Sequence, residues 1–317
     1  MKRVAIGRGV SLTAVGLGGA QLGNLSRVST DEQCAAAVEA AWRGGVRYFD
    51  TAPHYGLGLS ERRLGALLRS YPRQEYTVST KVGRILVPTP ERAGQLDDGG
   101  FAVPATHRRE WDFTRDGILR SVEGSLKRLG LDWLDIAYLH DPDDRWEAAS
   151  TTGIGALIEL RDQGVVRAIG AAMNQSAMLA AFVATCDVDV VMLAGRYTLI
   201  DRHAEEDLLP LAIERGVAVV AAGVYNSGLL SRREIAPDAQ FEYDAAPPTS
   251  WRSPARWLGC VRCVAWSFPR LRSSFQFATR RSRASSSARE TGRKSNSRLR
   301  GHRARSRHSC GATSTRS

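Results

Sequence analysis

Four polar side chains that lie far apart in the sequence are of the types needed to move a proton. Asp50, Lys81 and His140 each follow a short apolar run, and Tyr55 comes five residues after Asp50. A tyrosine phenol titrates at about pH 10, and a neighbouring ammonium group lowers that pKa. Lys81 can supply the positive charge, and Asp50 can hold Lys81 as an ion pair. Tyr55 then becomes usable as a general acid or base.

His140 completes this set as a hydrogen-bond donor that can orient a substrate carbonyl or hydroxyl group. Each residue also has an ordinary explanation, since Asp50 could form a turn, Lys81 could reach solvent, Tyr55 could be a half-buried aromatic and His140 could cap a loop. The four act together only if the fold brings the strand ends to one place. Because the set holds no obvious nucleophile and no metal cage, it favours hydride transfer with an organic cofactor.

A repeated alternation of apolar runs and helical stretches extends from residue 14 to residue 227. The runs are apolar on both faces, which is typical of buried parallel strands. A (β/α)8 barrel of about 250 residues and an open doubly wound sheet share this rhythm. Residues 16–19 (GLGG) lack the glycine motif of the second fold, so we predict an α/β fold, the (β/α)8 TIM barrel. Its strands are predicted at 14–18, 46–49, 77–80, 136–139, 166–171, 188–193 and 217–222, after a small hairpin formed by 3–6 and 10–12.

Capping residues and one long insertion mark the segments between the strands. Thr30 and Gln33 have the spacing of a capping box, and Ser60 is predicted to cap the second helix. The stretch Arg84–Trp111 is rich in proline, glycine and charge and is predicted to be a long functional loop. Trp111 is its candidate for the substrate wall, because a flat aromatic ring can pack on the C–H face of a ligand.

The charge of the chain divides it into two parts. The 317 residues are 43% hydrophobic and 24% charged, with a net charge of +11. Residues 249–317 hold 16 Arg, 1 Lys and 1 Glu, whereas residues 1–248 hold 27 basic and 32 acidic residues. A mildly acidic body excludes a basic domain that coats nucleic acid. Five cysteines make no disulfide framework, the start lacks a signal peptide and no apolar run approaches the roughly 20 residues of a membrane span, so we expect a cytoplasmic protein.

The motifs around the four residues resemble the aldo-keto reductase superfamily. They are 48–56 (YFDTAPHYG), 60–65 (SERRLG), 79–83 (STKVG) and 139–142 (LHDP). The spacing from Asp50 to Tyr55, Lys81 and His140 suits the catalytic tetrad of that family. The first and last motifs, with their neighbours, are similar to the aldose 1-dehydrogenase branch.

The resemblance implies a barrel that binds NADP or NAD without a Rossmann domain and acts on an aldose or another small carbonyl or alcohol. Asn174 matches the position that holds the nicotinamide carboxamide, and Tyr197 matches the ring that stacks on the nicotinamide. Ala194 stands where many relatives carry glutamine. The loop 223–230 matches the segment that passes the pyrophosphate, and its candidate binding residues are Gly223, Tyr225 and Ser227.

Three classes of function stay open at this point. The first is an oxidoreductase, the second a non-catalytic barrel that senses the nicotinamide state for a partner, and the third a contact with nucleic acid through the basic tail. The intact set of four polar residues favours the enzyme, because a sensor has no need of all four. We do not expect nucleic acid to be the main partner. The sequence does not decide between NAD and NADP, or name the substrate or the oligomeric state.

The last 69 residues depart from the pattern, so we predict a barrel at 1–248 and an atypical basic tail at 249–317. Leu, Val and Phe make up 8 of these 69 residues, below the roughly 20% associated with disorder at high charge. The eighth β/α unit is predicted to be replaced by this Arg/Ser-rich tail, which would weaken the cofactor site. Segments 260–266 and 275–278 are the candidates to cover the open edge. Three interpretations remain, namely a frameshift, a nucleic-acid-binding tail and a metal site at Cys260 and Cys263 with His302, His308 or Cys310.

Overall fold

Strands and helices alternate along the chain in the computed structural model, which describes residues 1–231 and the strand segments 240–241, 244–245 and 275–277. The strands are β1 Arg3–Gly7, β2 Val10–Thr13, β3 Leu17–Gly18, β4 Tyr48–Asp50, β5 Thr77–Val82, β6 Arg84–Pro88, β7 His107–Trp111, β8 Leu134–His140, β9 Val166–Met173, β10 Val190–Ala194, β11 Ala218–Ala222, β12 Gln240–Phe241, β13 Asp244–Ala245 and β14 Phe275–Phe277. The helices are α1 Asp31–Arg43, α2 Leu59–Leu68, α3 Arg115–Leu129, α4 Trp146–Ala148, α5 Ile154–Asp162, α6 Ser176–Thr185 and α7 Leu208–Arg215. Within these ranges, no helix has both the length and the apolar character that a membrane crossing requires.

Seven parallel strands form the central sheet in the order β3-β4-β5-β8-β9-β10-β11. The spatial order of these seven strands is the same as their order along the chain. A doubly wound sheet would instead reverse its order at one point. The seven strands therefore form a nearly closed barrel, as the sequence predicts, and each predicted run overlaps one of them.

An antiparallel segment lies at the free edge of β11, where a complete barrel has its eighth parallel strand. β14 pairs with β11, from Ala222↔Phe275 to Val220↔Phe277. One of the two segments predicted to cover this edge, 275–278, thus includes the residues that pair there. The direction of the strand differs from that of a regular eighth unit. The interpretations of the tail as a frameshift, a nucleic-acid contact or a metal site concern residues outside the described ranges.

The side chains of the parallel strands pack in two layers, one inside the ring and one beneath the helices. Along β8, Ile136 and Tyr138 belong to the interior cluster, whereas Ala137 and Leu139 belong to the outer one. This alternation follows from the pleat, which points successive side chains to opposite faces of a strand. Buried apolar side chains on both faces hold each strand in a fixed register, so the polar residues at the strand ends are held in place.

The predicted N-terminal hairpin covers one end of the ring. β1 and β2 pair antiparallel, and three of their residues join the interior cluster, namely Ile6, Val10 and Leu12. Thr77, the first residue of β5, donates a hydrogen bond from Oγ1 to the backbone oxygen of Ser11 at 3.0 Å. The hairpin thus lies against the N-terminal ends of the strands. The C-terminal ends face the opposite way and are left for polar chemistry.

The stretch Arg84–Trp111 contains an antiparallel hairpin, so the prediction of a loop is wrong for its two ends. β6 pairs with β7 from Arg84↔Trp111 to Pro88↔His107. Its central part returns to the body of the protein through a bridge between Leu25 and Phe101. Partners so far apart in sequence leave no local turn signal, because the proline- and glycine-rich centre separates them.

The two predicted helix starts had different outcomes. Thr30 caps α1, accepting a hydrogen bond from the backbone of Gln33 in a full capping box. Ser60 caps nothing, because α2 begins earlier and its N-cap is Gly58, at φ +81°. The hydroxyl of Ser60 is buried and donates instead to the backbone oxygen of Gly19 at 2.7 Å. It ties α2 to the segment that follows β3.

Candidate active site

The C-terminal ends of three neighbouring strands bring Asp50, Lys81 and His140 together. Asp50 ends β4, His140 ends β8, and Lys81 is the penultimate residue of β5, which lies between those strands. The side chains are buried, since the residues are 1%, 3% and 5% exposed, respectively. In a barrel of parallel strands the catalytic residues come from this end of the sheet. The structure thus brings these three predicted residues to one mouth.

A buried ion pair joins Lys81 to Asp50. Lys81 Nζ lies 2.6 Å from Asp50 Oδ2 and donates a second hydrogen bond to the backbone oxygen of Thr51 at 3.0 Å. Burial alone would lower the pKa of Lys81, but the charges of Asp50 and Tyr55 outweigh burial and raise this pKa above its usual value. The ammonium group is therefore a fixed positive charge at neutral pH.

Tyr55 stands over this ammonium group. Lys81 Nζ lies 4.7 Å from the centre of the Tyr55 ring, and a hydrogen bond with the Tyr55 side chain adds to the raised pKa of Lys81. The turn that carries Tyr55 depends on Gly56, which has φ +63° and whose missing Cβ would lie 2.2 Å from the backbone oxygen of Gly23. A side chain at Gly56 would push the turn, and Tyr55 with it, away from Lys81.

His140 faces Tyr55 from the other side. The two ring centres are 6.1 Å apart and the ring planes are perpendicular. Burial, and then the charges of Arg84 and Lys81, lower the pKa of His140 well below its usual value. The imidazole is therefore neutral at pH 7. Its Nδ1 is buried and has no hydrogen-bond partner among the residues that the structure describes.

A chain of buried hydroxyl groups supports Asp50 from inside the barrel. Ser79 Oγ donates to Asp50 Oδ1 at 2.6 Å, the Tyr48 hydroxyl lies 3.0 Å from Ser79 Oγ, and the Tyr138 hydroxyl lies 3.4 Å from that of Tyr48. An ionised carboxylate only accepts hydrogen bonds, so the protons of this chain point towards Asp50. Burial raises the pKa of Tyr48 and Tyr138, which keeps both phenols protonated as donors.

Further residues around this mouth were not predicted as part of the site. His54 lies 5.6 Å from His140 between ring centres, and burial, followed by nearby arginine charges, lowers its pKa to about 2. Arg84 forms an ion pair with Asp141. His54 precedes Tyr55, and Asp141 follows His140, so neighbourhood in the sequence was a usable signal.

The residues predicted to bind the cofactor lie on the loops after the next three strands. Asn174 follows β9, whose Ala172 pairs with His140. Arg196, after β10, donates from Nε to the backbone oxygen of Asn174 at 3.2 Å. Asn226, after β11, donates from Nδ2 to the backbone oxygen of Gly195 at 3.4 Å. The three loops thus contact one another in order, beginning beside His140.

These loops are more open than the mouth itself. Asn174 and Arg196 line a cavity of about 610 Å³. Tyr197 and Tyr225 are half-buried, whereas Ser227 is exposed, and Gly223 has φ +60°. An amide, an aromatic ring and a glycine-containing turn at one rim fit the nicotinamide end of a dinucleotide, which needs a carboxamide partner and a flat surface.

The sequence and the fold are similar to those of known proteins. The sequence profile of the Aldo/keto reductase family matches residues 14–270. The chain belongs to the aldo/keto reductase family. The match runs past residue 248 into the segment predicted as an atypical basic tail. As a member of this family, the protein is an oxidoreductase.

Comparison with individual relatives indicates which branch of the family this aldo/keto reductase resembles. It is 47% identical to the D-threo-aldose 1-dehydrogenase of a Pseudomonas species over 250 residues, which cover 78% of this chain and 76% of that protein. It is 38% identical to the pyridoxal 4-dehydrogenase of Microbacterium luteolum over 263 residues, covering 77% of this chain and 76% of that protein. The predicted resemblance to the aldose dehydrogenase branch is confirmed.

A solved structure agrees with the fold. The glycerol dehydrogenase of Gluconobacter oxydans superimposes with a TM-score of 0.65 at 25% identity, over 82% of this chain and 76% of the other. The ring of parallel strands with helices outside it is therefore the fold of this aldo/keto reductase.

Proposed function

We propose that this aldo/keto reductase transfers a hydride between a nicotinamide cofactor, NADP or NAD, and C1 of an aldose or another small carbonyl or alcohol, with Tyr55 as the general acid and base. The observation that carries the proposal is the position of Lys81, whose Nζ lies 4.7 Å from the ring of Tyr55 and 2.6 Å from Asp50. The 47% identity with a D-threo-aldose 1-dehydrogenase supports the aldose as substrate.

In the oxidative direction, Tyr55 accepts the proton of the anomeric hydroxyl group. The ammonium of Lys81 favours the phenolate form of Tyr55, because it stabilises the negative charge at close range. Asp50 keeps that ammonium in place through the ion pair. The bound nicotinamide supplies the hydride acceptor, and the sugar becomes a lactone. In the reductive direction Tyr55 returns the proton to the carbonyl oxygen.

His140 orients the reacting oxygen. A neutral imidazole can donate one hydrogen bond to a carbonyl or hydroxyl oxygen without placing a full positive charge beside Lys81. Its burial at 5% exposure removes competing water from that bond. We assign Trp111, at the end of β7 and 39% exposed, to the substrate wall.

The cofactor is assigned to the loops beyond β9, β10 and β11. Asn174 would bind the carboxamide of the nicotinamide and Tyr197 would stack on its ring. The pyrophosphate would pass the turn that holds Gly223, Tyr225 and Ser227. Asn174 follows the strand next to that of His140, which supports a nicotinamide placed beside the reacting oxygen.

Replacement of Tyr55 by Phe tests the proposal. We expect aldose-dependent reduction of NAD or NADP to fall by about 10²- to 10⁴-fold in kcat, the range typical of general acid–base catalysis. The dissociation constant of the cofactor, measured by fluorescence titration, should change by less than about 3-fold, because the phenol lies outside the proposed cofactor loops. Tyr71→Phe is the matched control, since Tyr71 stacks on Trp42 at 3.8 Å under the helices. A Tyr55→Phe enzyme as fast as its parent would falsify the proposal.

The same cofactor titration also tests the expected effect of the basic tail, residues 249–317, on cofactor binding. We expect weak or absent nicotinamide binding, because the resemblance implies that residues after 248 replace the region that grips the adenosine end. Saturable binding of NAD or NADP to the purified chain with micromolar affinity would contradict that expectation. It would leave the assignment of Tyr55 untouched.

A further inference from the structure

Two charged side chains beside His140 have no part in the proton transfer described above. Arg84 donates from Nη2 to Asp141 Oδ2. The same carboxylate oxygen lies 3.6 Å from His140 Nε2. The Arg84 side chain is 11% exposed and that of Asp141 is 30% exposed, so the pair borders the mouth and still reaches its open side.

An aromatic ring extends this pair. Arg84 and Trp111 are opposite one another at the base of the β6–β7 hairpin. The guanidinium carbon of Arg84 lies 4.9 Å from the centre of the Trp111 ring. A carboxylate, a guanidinium group and a partly exposed indole thus follow one another outward from His140.

The ion pair of Arg84 and Asp141 adds little stability to the fold, which argues against a purely structural role. Asp141 has φ +40°, a left-handed conformation that is uncommon for a residue other than glycine. Burial raises the pKa of its carboxyl group, against the opposing effect of Arg84. Arg84 Nε is buried with no hydrogen-bond partner in the described part of the chain. Buried ion pairs with unmet hydrogen bonds add little stability.

We propose that Arg84 and Asp141 form a subsite for the vicinal hydroxyl groups of a polyhydroxylated substrate, with Trp111 against its C–H face. A diol both donates and accepts hydrogen bonds, and this subsite offers an acceptor and donors side by side. In an aldose the hydroxyl groups next to C1 would reach it while His140 holds the oxygen on C1. The inference rests on the proposed function and selects sugars within it over carbonyl compounds that lack hydroxyl groups.

The test compares substrates in the full-length protein with Arg84→Met and Asp141→Asn. Asparagine tolerates the left-handed conformation of Asp141, so the turn is kept. The probes are the common aldopentoses and aldohexoses in oxidation, and propanal in reduction. On the best aldose we expect kcat/KM to fall by about 10- to 100-fold, the loss typical of a hydrogen bond to a charged group. On propanal the fall should be at least about 5-fold smaller than on the aldose, because propanal has no vicinal hydroxyl groups for the pair to bind.

Arg120→Met provides the matched control. Arg120 forms an ion pair with Asp112 on the surface, at 2.7 Å, and 62% of its side chain is exposed. This variant should change neither reaction. Equal losses on the aldose and on propanal would overturn the subsite and leave a structural ion pair in its place.

Direct sugar binding separates this inference from the proposed function. If the wild type turns over neither the aldoses nor propanal with NAD or NADP, the proposed function fails. Calorimetric titration with the same aldoses then measures sugar binding directly and tests the subsite. Saturable binding that Asp141→Asn abolishes would support it, and absence of binding to the wild type would overturn it.

Discussion

The two halves of the barrel mouth are built differently. Asp50, Lys81 and His140 lie on strands and are almost fully buried, and hydrogen bonds hold the charged groups of Asp50 and Lys81 in place. The residues proposed for the cofactor, such as Asn174 and Ser227, lie on loops and are half-buried or exposed. A group that must stabilise a charge has to be fixed in advance and shielded from water. A group that binds an exchangeable ligand has to remain accessible, so the two tasks favour strands and loops respectively.

Among the replacements that compare the two halves, Lys81→Met should have the largest effect, because it disrupts the strand-held half, which consists of Asp50, Lys81 and His140. We expect kcat to fall by about 10³-fold, because the phenol of Tyr55 loses the charge that makes it a usable base. The protein should also lose about 3–5 kcal/mol of unfolding free energy, since Asp50 is left buried without its partner. Steady-state kinetics and urea denaturation measure the two effects.

A second replacement separates these two effects of Lys81. In the double variant Asp50→Asn, Lys81→Met, stability should recover in part, because no uncompensated charge remains, whereas kcat should stay low. The KM of the cofactor should stay within about 3-fold of the wild type in both variants. A rise in that KM as large as the fall in kcat would show that the halves are not separable.

Ser79→Ala tests how the barrel interior supports the ion pair. The variant removes the donor at 2.6 Å from Asp50, so we expect kcat to fall by about 10- to 100-fold, as for a hydrogen bond to a charged group. The pH–rate profile for aldose oxidation should shift to higher pH, because a less well placed ammonium favours the phenolate less. A loss of rate with an unchanged profile would contradict this role.

Ser121→Ala is the control for Ser79→Ala. Ser121 is also buried, on α3, and its hydroxyl has no hydrogen-bond partner in the part of the chain that is described. We expect neither the rate nor the pH profile to change. The comparison removes the effect of deleting a buried serine hydroxyl as such.

The strand-held half could be predicted from the sequence better than the loop-held half. Asp50 and His140 stand next to apolar runs, and the parallel strands of such runs end at one face, so local pattern and fold agree. The pairing of Arg84 with Trp111 could not be predicted, because two strands so far apart leave no periodic signal of their partnership. The predicted capping role of Ser60 was wrong because α2 begins at Leu59. Its N-cap is Gly58, in a conformation that the sequence alone does not show.

Two histidines, His54 beside Tyr55 and His203 on the cofactor side, should make the stability of the fold depend on pH in opposite directions. The pKa of His54, beside Tyr55, is lowered to about 2 by burial first. The unfolded chain therefore binds a proton below about pH 6.5 and the folded chain does not, so stability falls as the pH falls. The loss is about 1.4 kcal/mol for each pH unit between about 6.5 and 5.

His54→Phe should remove this part of the pH dependence. Urea denaturation at pH 7, 6 and 5 measures it, and phenylalanine keeps an aromatic ring against Phe101. On the loop side, a hydrogen bond to Asp201 raises the pKa of the exposed His203, so its contribution is present at low pH and is lost as the pH rises. His203→Asn is therefore the control with the opposite sign. An unchanged pH slope in His54→Phe would contradict the burial of a neutral ring.

Asn174→Ala should have the smallest effect and would sharpen the contrast between the halves. We expect the KM of NAD or NADP to rise by about 2- to 10-fold, the range for the loss of a neutral hydrogen bond, with kcat at saturating cofactor almost unchanged. The effect is small because water can enter the half-open loop and satisfy the carboxamide in place of the lost side chain. Gln163→Ala, at the exposed end of α5, is the control and should change neither constant. A fall in kcat like that of Lys81→Met would instead mean that the loop-held half takes part in the proton transfer, and the division of tasks between strands and loops would be wrong.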